Sequence, residues 1–224
     1  MNVRTAAALG VALAAISAGA ADAAKVKPVC NLVVDATGDT FAARAQDGTA
    51  PGPQDDAFDI KSADIASDGK TITAAIRVAK LGDAQTSPQG RGFAFDFLLP
   101  TSDMQGSLRA VLITGQAPYF EATFKDPSVP NGPSTFISTV TGVVDAKKGE
   151  IRISAPVGVF SELGQIKLGT LITPAADAAT SGRAVPPAPG VAGAPITTRY
   201  VFADVATDSK PYKAGTPSCV PVGK

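Results

Sequence analysis

Thr71-Ile72-Thr73-Ala74-Ala75-Ile76-Arg77-Val78 decides the fold class. Successive side chains of an extended chain point to opposite faces. Ile72, Ala74, Ile76 and Val78 therefore share one face, and Thr71, Thr73, Ala75 and Arg77 share the other. The same period of two recurs further along. Phe93, Phe95, Phe97 and Leu99 alternate with Ala94, Asp96 and Leu98, and Phe120, Ala122 and Phe124 alternate with Glu121, Thr123 and Lys125. Ile151, Ile153 and Ala155 alternate with Glu150, Arg152 and Ser154. β-branched and aromatic residues dominate these runs, as strands prefer. No segment keeps a helical period for three turns; one short helical turn fits at 158–163, behind Pro156.

Turn signals separate the runs. Ser67-Asp68-Gly69 and Ala146-Lys147-Lys148-Gly149 each close a hairpin. Further strands are expected at 29–35, 58–66, 107–114, 135–145, 166–173 and 197–205. About ten short strands at this spacing predict an all-β fold, an antiparallel sandwich or barrel with long irregular loops. Residues 175–196 are rich in Ala, Pro and Gly, with Pro186, Pro187, Pro189 and Pro195. They read as a flexible loop between two strands, and 41–57 as a second irregular loop. Too few residues follow 196 for a second core, so 24–224 is expected to form one domain.

Composition narrows the chemistry. Lys plus Arg number 20 and Asp plus Glu number 20, so the formal charge is zero, which argues against a nucleic-acid partner. His is absent, which removes His-based triads and every His-ligated metal. There is no G-x-S-x-G nucleophile motif. Gly90-Arg91-Gly92 lacks the third glycine and the helix of a phosphate loop. The chain is expected not to be an enzyme.

The first residues read as an address. Arg4 is a short positive segment, Thr5–Gly19 is uncharged and apolar, and Ala21-Asp22-Ala23 fits a small-x-small cleavage site. Residues 1–23 are thus expected to be a signal peptide cleaved before Ala24. The alternative, a membrane anchor, wants about 20 strongly apolar residues, and this run is short and built from Ala. No later segment is long and apolar enough to span a bilayer. The expectation is a secreted, extracellular protein, either released or retained at the cell surface. Export makes a Cys30–Cys219 disulfide possible, the one intramolecular pairing two cysteines allow; free or intermolecular thiols are the alternative.

Candidate site residues are mostly acidic. Asp35 and Asp39 flank Ala36-Thr37-Gly38, Asp59 follows a Pro-Gly-Pro stretch with Asp55 and Asp56, and Asp204 and Asp208 end the last strand. Loop carboxylates with freed carbonyls suit a hard cation such as calcium. Asp also accepts backbone N–H groups of its own turn, and both readings stand. If a cation binds, Asp35, Asp39 and Asp59 are the expected ligands. Glu121 and Glu150 sit beside Arg109, Lys125 and Arg152, which reads as cross-strand charge pairing rather than glycoside hydrolysis. Asp96 faces away from the Phe run and is expected to pair with Arg77 or Arg109, or to touch a ligand. Tyr119, Tyr200 and Tyr212 are candidate sugar contacts through ring and hydroxyl.

One resemblance follows from local motifs. These are Asp35-x-x-Gly38-Asp39, Phe58-Asp59-Ile60-x-x-Ala63, Asp68-Gly69-x-x-Ile72-Thr73, Ile76-Arg77-Val78 and Gly149-Glu150-Ile151-Arg152-Ile153. In outline they resemble an actinobacterial-type exported β-sandwich, similar to family-nine carbohydrate-binding modules and DOMON-like domains. The resemblance implies a jelly-roll-like sandwich that binds sugar or calcium. The Trp clamps and the His haem ligand of such domains have no counterpart here. Two functions remain open. One is a non-catalytic binding or adhesion module for an extracellular glycan. The other is a structural or interaction protein that meets another cell-envelope protein.

Overall fold

The computed structural model describes residues 26–44, 56–81, 91–113, 115–126, 128, 134–180, 200–206 and 208–223. The alternating run at 71–78 is a strand, as its period dictates. In chain order the strands are β1 (Val33–Val34), β2 (Phe41–Arg44), β3 (Ile60–Ser67), β4 (Thr71–Val78) and β5 (Arg91–Leu98). Then come β6 (Gln105–Leu112), β7 (Tyr119–Lys125), β8 (Thr135–Thr139), β9 (Thr141–Asp145) and β10 (Glu150–Pro156). β11 (Leu171–Thr180), β12 (Tyr200–Ala206), β13 (Asp208–Ser209) and β14 (Tyr212–Lys213) complete the set. One sheet runs β13-β1-β3-β4-β10-β9; the other runs β2-β12-β11-β5-β6-β7-β8, with β14 on the flank of β11. Neighbouring strands pair antiparallel throughout, and the fold is an all-β sandwich. Residues 1–23, expected to be a signal peptide, lie outside the described residues.

The core is built on size complementarity. Phe93, Phe95 and Phe97 of β5 are buried and face the other sheet's Ile72, Ala74 and Ile76 within one apolar cluster. Their in-register neighbours are mostly small. Phe93 stands between Ala110 and Ala178, and Phe95 between Leu108 and Ala176. Phe97 faces Gly106, where a Cβ would come within 2.5 Å of the ring. Burying each such ring contributes about 1.5–3 kcal/mol. The turn after β10 is a 3-10 helix, Val157–Leu163, as its sequence suggests. It drops Phe160 edge-on against Phe97, ring centroids 4.9 Å apart.

Both expected hairpins form. Gly149 closes the β9–β10 turn at φ +65°, and a Cβ there would sit 2.8 Å from the Val78 carbonyl oxygen. Elsewhere the boundaries move. The run 135–145 is two strands, because the chain crosses between sheets at Val140: β8 pairs with β7, and β9 with β10. Gly142 permits the crossing, since a Cβ there would enter the Phe120 ring. The strand expected at 29–35 shrinks to Val33–Val34, and the one expected at 166–173 starts only at Leu171. Residues 41–44, expected as loop, are strand β2.

The long loop expected at 175–196 also needs correction. Residues 175–180 belong to β11, which pairs with β5 along its length. Ala is a poor strand former in general, but here it is the residue that fits beside a phenylalanine. Pro174 falls between the stretches of β11 that pair with β14 and with β12, where one flank carries no ladder. Residues 181–196 lie outside the described residues.

Cys30 and Cys219 form the disulfide, with Cα atoms 5.2 Å apart. Backbone bonds flank it: Val29 N–H donates to Pro217 O at 2.9 Å, and Cys219 N–H donates to Val29 O at 3.1 Å. The bridge spans 189 positions of sequence, and on the chain-entropy account such a closure contributes up to about 5 kcal/mol. Cys30→Ser with Cys219→Ser should lower the urea midpoint clearly and steepen the slope, because the unbridged unfolded chain exposes more surface. An unchanged midpoint would mean the bridge contributes no stability.

Candidate functional site

Two clusters on the sandwich hold chemistry. The first is acidic and sits where the sheets meet. β1 ends at Val34 and releases Asp35; a turn with Gly38 at φ +84° brings back Asp39. On the other sheet, Asp204 of β12 shares the parity of buried Ala206 and points inward. One Asp204 oxygen accepts the Ile60 N–H at 2.6 Å, which ties the two sheets together. Carboxylate oxygens of Asp35, Asp39 and Asp204 lie within 4.8 Å of one another. Asp59, 3% exposed, stands beside them and accepts the Gly38 N–H at 3.0 Å. Its other oxygen, Oδ1, is buried without a partner, and so is Oδ2 of Asp35.

The electrostatics match the crowding. Burial pushes the Asp204 carboxyl up to about 7, aided by the charges of Asp35 and Asp39 and offset by the Ile60 N–H. Burial and then the neighbouring Asp39 raise Asp35; burial, Asp39 and Asp56 raise Asp59, against the pull of the Gly38 N–H. The charges acting most on these acids are one another's. Four hard oxygen donors in this state are suited to a divalent cation, or else to shared protons. Sequence placed Asp35, Asp39 and Asp59 here; the third member of the tight group is Asp204. The available signal was an acid on the buried parity of a strand.

The second cluster lies on the outer face of the longer sheet. Asp96, Ser107 and Thr123 stand side by side across β5, β6 and β7. Each is at most 4% exposed, and each has an oxygen without a partner: Asp96 Oδ1, Ser107 Oγ and Thr123 Oγ1. Phe136 is the direct partner of Thr123 in β8, so it shares that face, and it is 54% exposed. Charged pairs frame the row. Arg109 donates to Glu121 at 2.9 Å, and Lys125 Nζ meets Asp96 Oδ2 at 2.8 Å and Asp177 at 4.0 Å. Lys125 starts on β7 and reaches β5, so its side chain crosses β6. Burial works against the Lys125 ammonium, but the Asp96 contact outweighs it and raises its pKa.

The glutamates behave as cross-strand partners, Glu121 with Arg109 and Glu150 with Arg77, and Glu150 also meets Arg152 of its own strand. The partner of Asp96 is Lys125, not Arg77 or Arg109, because Arg77 is on the other sheet and Arg109 is held by Glu121. The three tyrosines do not converge. Tyr212 is 1% exposed; its hydroxyl donates to Thr216 O at 2.9 Å and accepts the Ser67 N–H at 3.1 Å, so it is a core residue and not a sugar contact. Tyr200 lies in β12 opposite Arg44, with its side chain outside the described set. Tyr119 is half-buried on the face that carries Glu121 and Thr123.

Compared with protein-family models, curated proteins and solved structures, the chain matches none. Among the described residues no helix is long and apolar enough to cross a membrane.

The raised carboxyls set a pH dependence. A folded-state pKa of about 7 for Asp204, against an ordinary 3.8, means the fold holds a proton that the unfolded chain has released. Stability from this group is therefore full below the ordinary value and is lost as pH rises to about 7. In chelator, the melting midpoint of the wild type should fall between about pH 5 and about pH 7.5 by more than that of Asp204→Asn. Asn keeps an oxygen for the Ile60 N–H. Equal falls in both proteins would exclude Asp204 as the group.

Proposed function

We propose that the chain is an exported, non-catalytic binding module for a glycan, docked on the outer face of the longer sheet and stiffened by a calcium ion. The observation that carries the reading is the row Asp96, Ser107 and Thr123, three adjacent buried side chains with unpartnered oxygens. Such a group costs about 1–3 kcal/mol when left unmade, so it is retained where something else completes it. Sugar hydroxyls both donate and accept, and they answer a carboxylate and two hydroxyls in line. Phe136 beside them supports the reading, because a flat apolar ring suits the C–H face of a sugar. The charges on this face are paired internally, which favours a neutral, hydroxyl-rich ligand over an ion.

Calcium at Asp35, Asp39, Asp59 and Asp204 completes the module. Calcium binds oxygens at about 2.3–2.6 Å, so opposite ligands stand about 4.6–5.2 Å apart, which agrees with the spread of the Asp35, Asp39 and Asp204 oxygens, within 4.8 Å of one another. The ion would clamp the β1 turn to β12 and so brace one sheet against the other. Export is supported by the Cys30–Cys219 bridge, which suits an oxidising compartment.

Calcium at a hundredfold excess over its Kd should add about 2.7 kcal/mol, roughly 5–10 °C in midpoint for a domain of this size. Chelator should reverse the rise, and Asp204→Asn should blunt it. A midpoint indifferent to millimolar calcium removes the ion from the proposal. Glycan binding is checked by electrophoresis through gels holding a soluble glucan, xylan, mannan or galactan. The wild type should be retarded by at least one, and Phe136→Ala should run free. Thr123→Val should also run free while melting higher, because it deletes a buried hydroxyl without a partner; the expected gain is about 1 kcal/mol. Retardation by none of the four, or by all three proteins alike, defeats the assignment.

A further inference from the structure

A third feature lies at one end of the shorter sheet, next to the acidic cluster: Asp35 N–H donates to Lys61 O at 3.2 Å, and Ala79 N–H donates to Asp59 O at 2.7 Å. We propose that the groove between the β3–β4 edge and the β9–β10 turn binds a tetrahedral oxyanion, the phosphate or sulfate group of a polyanionic ligand. The groove measures about 430 Å3 and is lined by Lys61, Ser62, Arg77, Lys80, Lys147 and Lys148, with no acidic side chain among the described residues of its lining. This falls within the roughly 300–1,000 Å3 of small-molecule sites and exceeds what one phosphate fills, so the group bearing the anion also fits.

Local structure brings these cations together. A bulge between Ile60 and Ser62 makes Lys61 the extra residue of β3 and leaves it exposed. The tight turn at Gly149 projects Lys147 and Lys148 from the far side. Arg77 is fixed from both flanks. Its Nη1 donates to Asp64 at 2.6 Å and its Nε to Glu150 at 3.0 Å, and among the described residues its Nη2 has no acceptor. Asp64 is fully buried and also accepts the Leu32 N–H, so the guanidinium is anchored to a rigid base. Lys148 is offset by Asp145 at 3.3 Å. Lys61, Lys80 and Lys147 are exposed and have no ion pair among the described residues. A rigid guanidinium donor with three uncommitted ammonium groups around it is the donor set that phosphate and sulfate oxygens take. The outer face of the longer sheet, with its charges paired, offers no such set.

Isothermal titration at low salt tests the groove with three probes: pyrophosphate, dextran sulfate and neutral dextran. The wild type should bind one or both anionic probes and ignore dextran. Binding of pyrophosphate points to free or terminal phosphate; binding of dextran sulfate alone points to a polymer carrying the anions. Lys61→Ala with Lys147→Ala should weaken binding about tenfold and lower the salt slope for the polymer by about 2. Both lysines are exposed, so the fold tolerates their loss. Arg77 stays intact in the test, because its removal would leave Asp64 buried without a cation. Lys167→Ala with Lys213→Ala, two exposed lysines elsewhere, should change affinity by less than about twofold. No heat with either anionic probe, or equal weakening in both variants, overturns the proposal.

Discussion

Three phenylalanines on one strand fill the space between the sheets, and nearly everything beside them must be small. That constraint explains why the seven-stranded sheet looks weak in composition yet keeps an unbroken register from β11 through β5 and β6 to β7. Ala176 and Ala178 are poor strand formers, and Gly106 is worse, but any larger side chain at Gly106 would collide with Phe97. In each row the large residue of β5 stands between smaller ones of β6 and β11, so the register of these strands is fixed from the inside. A slip by one residue would turn Phe95 into solvent and bring Asp96 into the core.

A fixed register is also what places the polar groups. Asp96, Ser107 and Thr123 line up because Phe95, Leu108 and Ala122 do so one position away on the other face. The fold thus holds a row of hydroxyl and carboxyl groups as firmly as it holds its core. At the sheet junction, Asp204 joins β12 to the Ile60 N–H of β3, and three further carboxylates gather around that bond. Both places set polar atoms in low-dielectric surroundings with fewer partners than they can use, which is where binding energy for an added group is available.

The alternation of apolar residues made the strands legible wherever a run was framed by turn residues, as at Ile72–Val78 and Ile151–Ala155. It failed where the reason for a strand lay in a distant neighbour. Nothing near 175–180 announces a strand; its cause is the Phe run some eighty residues earlier. The crossing at Val140 was hidden for a similar reason, since an extended chain keeps its period while changing sheets. Asp35 and Asp39 were legible because one turn holds both. Asp204 was among the acidic candidates, but its place beside Asp35 and Asp39 was not legible, nor was the Lys125–Asp96 pair, because only sheet order brings them to their partners. The basic groove depends on a one-residue bulge at Lys61 that no local motif marks.

The bridge between Cys30 and Cys219 has a mechanical corollary. Tension applied through the segments outside the two sulfurs passes directly from one cysteine to the other. The sheets between them carry none of that load, so a tether stretched by flow or by a moving surface leaves the sandwich folded while the covalent link lasts.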